Sequence, residues 1–116
     1  MGVGELLEWQ WSGYGKVHTA RVNLLLHIGA VPLFILGNVT LVAGLILAAP
    51  VHILVGAAAM SIGLALQGRG HKLESVQPEP FTSPANAFAR LLLEQWITFP
   101  RFVLSGGWFR ALKRAV

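Results

Sequence analysis

The 116-residue chain contains no cysteine and no aspartate. The first absence excludes disulfides, thiolate zinc sites, iron–sulfur clusters and thiol nucleophiles. The second excludes a Ser/His/Asp triad. Charge is scarce as well. Charged residues make up 12% of the chain, about half the roughly 25% of an ordinary soluble domain. The glycines form neither a GxGxxG nor a P-loop pattern, so nucleotide binding has no support. There is no internal repeat and no low-complexity tract.

What is present is apolar and basic at once: 54% hydrophobic residues with a formal net charge of +4. The two properties are segregated. From Val22 to Gly68, 47 residues pass without a formal charge, and every Lys, Arg and Glu lies outside that stretch. A bilayer core about 30 Å thick takes about 20 apolar residues per helix, so the stretch fits two spans. Ala48-Ala49-Pro50 supplies the tip, because proline suits a helix start and not its interior. A soluble helix pair is disfavoured, since neither helix would have a polar face for water. The apolar run also starts too late and is too long for a cleaved signal peptide. The expected fold class is therefore an all-α integral membrane protein, a two-span helical hairpin with flanking interfacial amphipathic helices.

The single membrane domain divides into an interfacial segment 1–21, spans 22–49 and 51–67, a site loop 68–83 and interfacial helices over 84–116. Pro32 is expected to kink the first span, leaving 22–30 at or below the membrane surface and 31–49 in the hydrocarbon. Leu6, Leu7, Trp9 and Trp11 stand beside Glu5 and Glu8 in the first segment. In the last, Ser83 can cap a helix over 84–99 with Pro84 in its first turn. Phe88, Leu91, Leu92, Trp96 and Phe99 would share its apolar face, with Arg90 and Glu94 as an i,i+4 pair opposite. Pro100 interrupts this helix, and Gly106-Gly107 break the chain again before the basic end. All four Trp lie outside the uncharged run, as an interfacial belt requires.

All nine Lys/Arg belong to the side holding both chain ends, and the tip carries none. The positive-inside rule then puts both ends in the cytoplasm, with the chain in a bacterial inner membrane or the endoplasmic reticulum. The basic residues are expected to face anionic headgroups of the lipid bilayer. They are too scattered for a nucleic-acid surface. Self-association into a homo-oligomer is consistent with so few spans.

Ionisable groups at membrane depth default to function. Counted from Pro50, His27 and His71 fall within roughly 3 Å of the same depth. His52 belongs to the tip. His18 lies nine residues before His27, half a turn away on a continuous helix, so the two could share an ion only if the chain bends between them. Asn23 shares a helix face with His27, and Glu74 with His71. The candidate set is Tyr14, His18, Asn23, His27, His71 and Glu74. Imidazole with carboxylate suits iron, zinc or manganese. Interfacial histidines bonded to backbone and headgroups would account for the same residues.

Tyr14-Gly-Lys-Val-His18 with Asn23, His27 and Val31-Pro32, then Gly70-His71 with Glu74 and Pro78, resembles the two signatures of the membrane 2-hydroxy fatty acid dioxygenase family of fatty-acid α-oxidation. The similarity covers roughly 12–36 and 67–80. Two residues separate His71 from Glu74 where the family pattern has three. The resemblance implies an Fe(II)-dependent enzyme that uses O2 to shorten a 2-hydroxy fatty acid by one carbon. It implies His18, His27 and His71 as iron ligands, with Asn23 and Glu74 as ligands or partners that orient them. Tyr14 would bond substrate or pack. Arg21, Arg69 or Lys72 could attract the substrate carboxylate. Two other readings stand beside this one: a related metalloenzyme with zinc or another substrate, and a non-catalytic hairpin that organises lipid or an assembly.

Overall fold

The structure is a computed structural model describing residues 2–115; Met1 and Val116 lie outside the described residues. It is all-helical. Helix α1 spans Val3–Tyr14, α2 Arg21–Leu47, α3 Pro50–His71, α4 Pro84–Leu93, α5 Phe99–Leu104 and α6 Gly107–Arg114. A short 3-10 turn, Gly15–Val17, follows α1, and a π turn, Glu94–Thr98, joins α4 to α5.

Helices α2 and α3 are each long and apolar enough to cross a membrane. They form an antiparallel pair with its turn at Ala48-Ala49. Ala48 takes a left-handed conformation (φ 50°) and Pro50 opens α3, while the Ala49 N–H caps the carbonyl of Gly44 at 2.9 Å. Glycines at a seven-residue spacing line the seam: Gly37 and Gly44 on α2, Gly56, Gly63 and Gly70 on α3. A β-carbon at Gly56 would stand 2.5 Å from the Leu41 nitrogen and 2.6 Å from the Gly37 oxygen. The backbones therefore touch, which only small residues permit. Away from the seam, Leu36, Leu45, Ile46, Val51 and Leu54 point outward and are exposed.

Near the charged end the remaining helices gather around α2. Tyr14, Leu24, Val31, Phe99, Phe102 and Trp108 form one buried cluster, and the Trp108 indole N–H donates to the Leu24 carbonyl at 2.9 Å. That bond folds α6 back onto α2.

Helix α2 runs through Pro32 as one helix. Other expectations are corrected. Helix α3 runs on to His71, so the loop starts at Lys72. Ser83 caps α4 as expected, accepting from the Asn86 N–H at 3.0 Å. The helical chain, however, changes to π geometry at Glu94, six residues before Pro100, and Pro100 then sits in the first turn of α5. Arg90 and Glu94 do not form an outward pair. Phe88 and Trp96 are exposed, whereas Arg90, Gln95 and Thr98 are buried. The helix turns its polar stripe inward and part of its apolar face outward, the reverse of a helix in water.

Candidate metal centre

The bend that His18 needs is present. Residues 18–20 leave helical geometry between the 3-10 turn and α2, with His18 at φ −133°, ψ 64° and Ala20 extended. His18 thereby reaches the same point as His27 from α2 and His71 from α3. The three rings stand nearly perpendicular, with centroids 4.8 Å (18–27), 4.8 Å (18–71) and 4.9 Å (27–71) apart. Glu94 completes the group: one donor atom from each of the four residues falls within 4.8 Å of the others. Glu94 Oε2 lies 3.6 Å from His18 Nε2 and 3.9 Å from His27 Nε2.

The backbone sets the tautomers. His18 Nδ1 lies 2.7 Å from the Tyr14 carbonyl and His27 Nδ1 3.0 Å from the Asn23 carbonyl. A carbonyl only accepts, so each Nδ1 carries a proton, and in the neutral ring each Nε2 presents a lone pair. His18 Nε2, His27 Nε2 and His71 Nδ1 are buried without a hydrogen-bond partner. Leaving one buried acceptor unpaired costs about 1–3 kcal/mol. Three unpartnered imidazole nitrogens thus converge beside a carboxylate. The cluster could hold a metal ion.

Glu94 is held for this position. The Tyr14 hydroxyl donates to Oε2 at 2.9 Å, and the Tyr14 ring stacks on His18 at 3.8 Å. Burial alone would raise the Glu94 carboxyl pKa; the His18 and His27 imidazoles and the Tyr14 hydroxyl outweigh it and bring the value down to about 2. Burial, then the charge and hydrogen bond of Glu94, hold the Tyr14 hydroxyl well above the usual phenol range, so it stays a donor.

Asn23 and Glu74 stand beside the cluster and brace it. Glu74 accepts from the Thr19 N–H (3.0 Å), the Thr19 hydroxyl (2.9 Å), the Ala20 N–H (2.9 Å) and the Asn23 amide (2.7 Å). It thus caps the entry of α2 from the loop after α3, where its charge also suits the helix dipole. Burial would raise its pKa, but these four donors hold it below the ordinary carboxylate range. Asn23 packs its side chain against Gly70, next to His71. His52 is exposed near the tip, away from the cluster.

Sequence reasoning missed Glu94, and with it a buried amide pair. Gln67, one turn before His71, and Gln95, next to Glu94, exchange reciprocal hydrogen bonds of 2.8 Å. The signal was the polar spacing Arg90, Glu94, Gln95, Thr98 on one side of an otherwise apolar segment.

A cavity of about 710 Å³ opens on the cluster, touching Tyr14, His18, His71 and Glu94. Trp9, Leu64, Val76, Phe81 and Leu91 make much of its wall. Its cations are Lys16 and Arg90; Arg21, Arg69 and Lys72 are not in its lining. The Arg90 guanidinium lies between the rings of Phe81 (4.5 Å) and Trp9 (4.9 Å) and donates to the carbonyls of Glu79 (2.7 Å) and Pro80 (3.1 Å), tying the 72–83 loop to α4. Comparison of the chain with protein-family models, with curated proteins and with solved structures gives no match.

Proposed function

We propose that the chain is a membrane-embedded iron(II)-dependent dioxygenase that shortens 2-hydroxy fatty acids by one carbon. The observation that carries this reading is the convergence of three unpartnered imidazole nitrogens and an ionised carboxylate at a largely apolar cavity. The resemblance of residues 12–36 and 67–80 to the α-oxidation family supports the substrate class. Helices α2 and α3 are read as crossing the bilayer with both chain ends in the cytoplasm, in line with the absence of charge from 22 to 68.

The donor set fits iron(II): imidazole and carboxylate without thiolate. His18, His27, His71 and Glu94 would hold it, and bound iron would supply the activation of O2. The chain's own residues do the rest. The Tyr14 and Asn23 carbonyls keep the lone pairs of His18 and His27 turned inward. Tyr14 keeps a proton next to Glu94 Oε2. The apolar wall receives an acyl chain, and Lys16 is the lining cation that can meet its carboxylate, Arg90 being held by the Glu79 and Pro80 carbonyls. The overall change balances as one 2-hydroxy acid and one O2 giving the acid shortened by one carbon, one CO2 and one water.

The test is turnover of 2-hydroxypalmitate by detergent-purified protein supplied with iron(II), followed by oxygen uptake and CO2 release. Wild type is expected to turn over and His71→Ala to lose activity. No turnover by wild type overturns the proposal. Tight zinc without oxygen uptake would identify a different metalloenzyme, and full tolerance of His27→Ala with no bound metal a non-catalytic hairpin.

A further inference from the structure

A second cavity, about 270 Å³, lies on the opposite flank of His18, between the 15–19 turn and α6. Its lining includes Gly15, Thr19, Phe102, Arg110 and Arg114, and no acidic residue. Arg110 and Arg114 are one turn apart, so both guanidinium groups serve the same mouth. Arg110 spends one N–H on the Ser105 carbonyl at 3.2 Å. Among the described residues no carboxylate lies within ion-pairing distance of either arginine. Glu74, which bonds Thr19 of the lining, has its oxygens engaged by four donors.

The placement identifies the occupant. Gly15 and Thr19 lie just before Val22, where the uncharged run begins, so the cavity stands at the charged end of α2, on the membrane-surface side in the bilayer reading. Leu104 (88% exposed) and Phe109 (56% exposed), close in sequence to the lining residues Phe102 and Arg110, are apolar side chains facing outward. Cations beside exposed Leu and Phe on an amphipathic helix match the boundary between acyl chains and headgroups. We propose that this cavity binds the phosphate of an anionic lipid headgroup between Arg110 and Arg114. The inference uses the bilayer reading of α2 and α3 and is independent of iron chemistry.

The test is thermal melting of the full chain in dodecyl maltoside, titrated with phosphatidylglycerol, phosphatidylcholine or inorganic phosphate. Phosphatidylglycerol is expected to raise the melting temperature saturably. Arg114→Gln should weaken its apparent affinity about five-fold and Arg110→Gln/Arg114→Gln about 30-fold, following the attraction of each basic residue to an anionic surface. Lys113→Gln, an exposed residue of α6 outside the cavity lining, should leave it unchanged. Arg114 makes no side-chain hydrogen bond among the described residues, so Arg114→Gln retains the fold, and its melting without lipid checks this. An unchanged response of the double variant, an equal response to phosphatidylcholine, or a full response to inorganic phosphate alone would each overturn the assignment.

Discussion

Replacing Glu74 separates a bracing role from a metal-binding one. Glu74→Ala removes the acceptor of four donors, which do not fare equally. Thr19 is exposed, so water replaces the carboxylate at its N–H and hydroxyl. Asn23 is fully buried, and its amide loses a 2.7 Å charge-assisted bond, keeping only a 3.4 Å contact with the Val17 carbonyl. A buried donor left this way costs about 1–3 kcal/mol. Adding the half-buried Ala20 N–H gives about 3 kcal/mol in all, or a melting temperature lowered by about 12 °C for a chain of this size. Glu74→Gln keeps one acceptor and should lose about half as much. The assay is thermal melting in detergent with a chelator present, so that metal loading is not a variable. Metal stoichiometry of both variants is then measured after loading and should match wild type. The pH dependence has a definite sign. The folded-state pKa of Glu74 lies below its unfolded value, so its contribution is complete above about pH 4.3 and fades as pH falls through the folded value. The gap between wild type and Glu74→Gln should therefore be constant at neutral pH and close in acid. A Glu74→Ala protein that melts like wild type but binds no metal would refute this account and make Glu74 a ligand.

Glu94→Gln keeps the shape of the side chain but removes the charge facing His18 and His27, and should weaken metal binding at least about 100-fold in a chelator-competition titration; wild-type affinity would remove Glu94 from the site. Gly56→Ala forces a β-carbon against the α2 backbone at Gly37 and Leu41 and should cost about 3 kcal/mol, whereas Gly29→Ala, with open space around it on the same hairpin, should be neutral or gain up to about 1 kcal/mol. Equal melting temperatures for these two variants would mean that α2 and α3 are not in backbone contact.

Much of the fold was legible from where charge is missing. The uncharged run, with Pro50 inside it, located two long helices and their turn. Counting outward from that turn put His27 and His71 at one depth because a rigid helix converts residue number into distance. Glu94 was not legible, for a physical reason. Four residues after Arg90, it has the spacing of a surface ion pair, and that reading assumes water outside the helix. Here Phe88 and Trp96 are exposed and the polar stripe turns in. His18 was legible only conditionally, since the bend at residues 18–20 arises from Glu74 capping Thr19 and Ala20 across 54–55 positions of sequence. The seven-residue spacing of Gly37/Gly44 and Gly56/Gly63/Gly70 stands in the sequence, yet it acquires meaning only once two backbones are known to touch there.

The Gln67–Gln95 pair gives the site a frame that does not titrate. It bridges the helix that carries His71 and the turn that carries Glu94, and each amide offers the other one donor and one acceptor. A fall in pH leaves these two bonds as they were, and so does salt, because neither partner has a charge to lose or to screen. The arms that carry His71 and Glu94 are then held together whatever the charge on the donors. A metal ion bound there would come and go without separating α3 from the 94–98 turn.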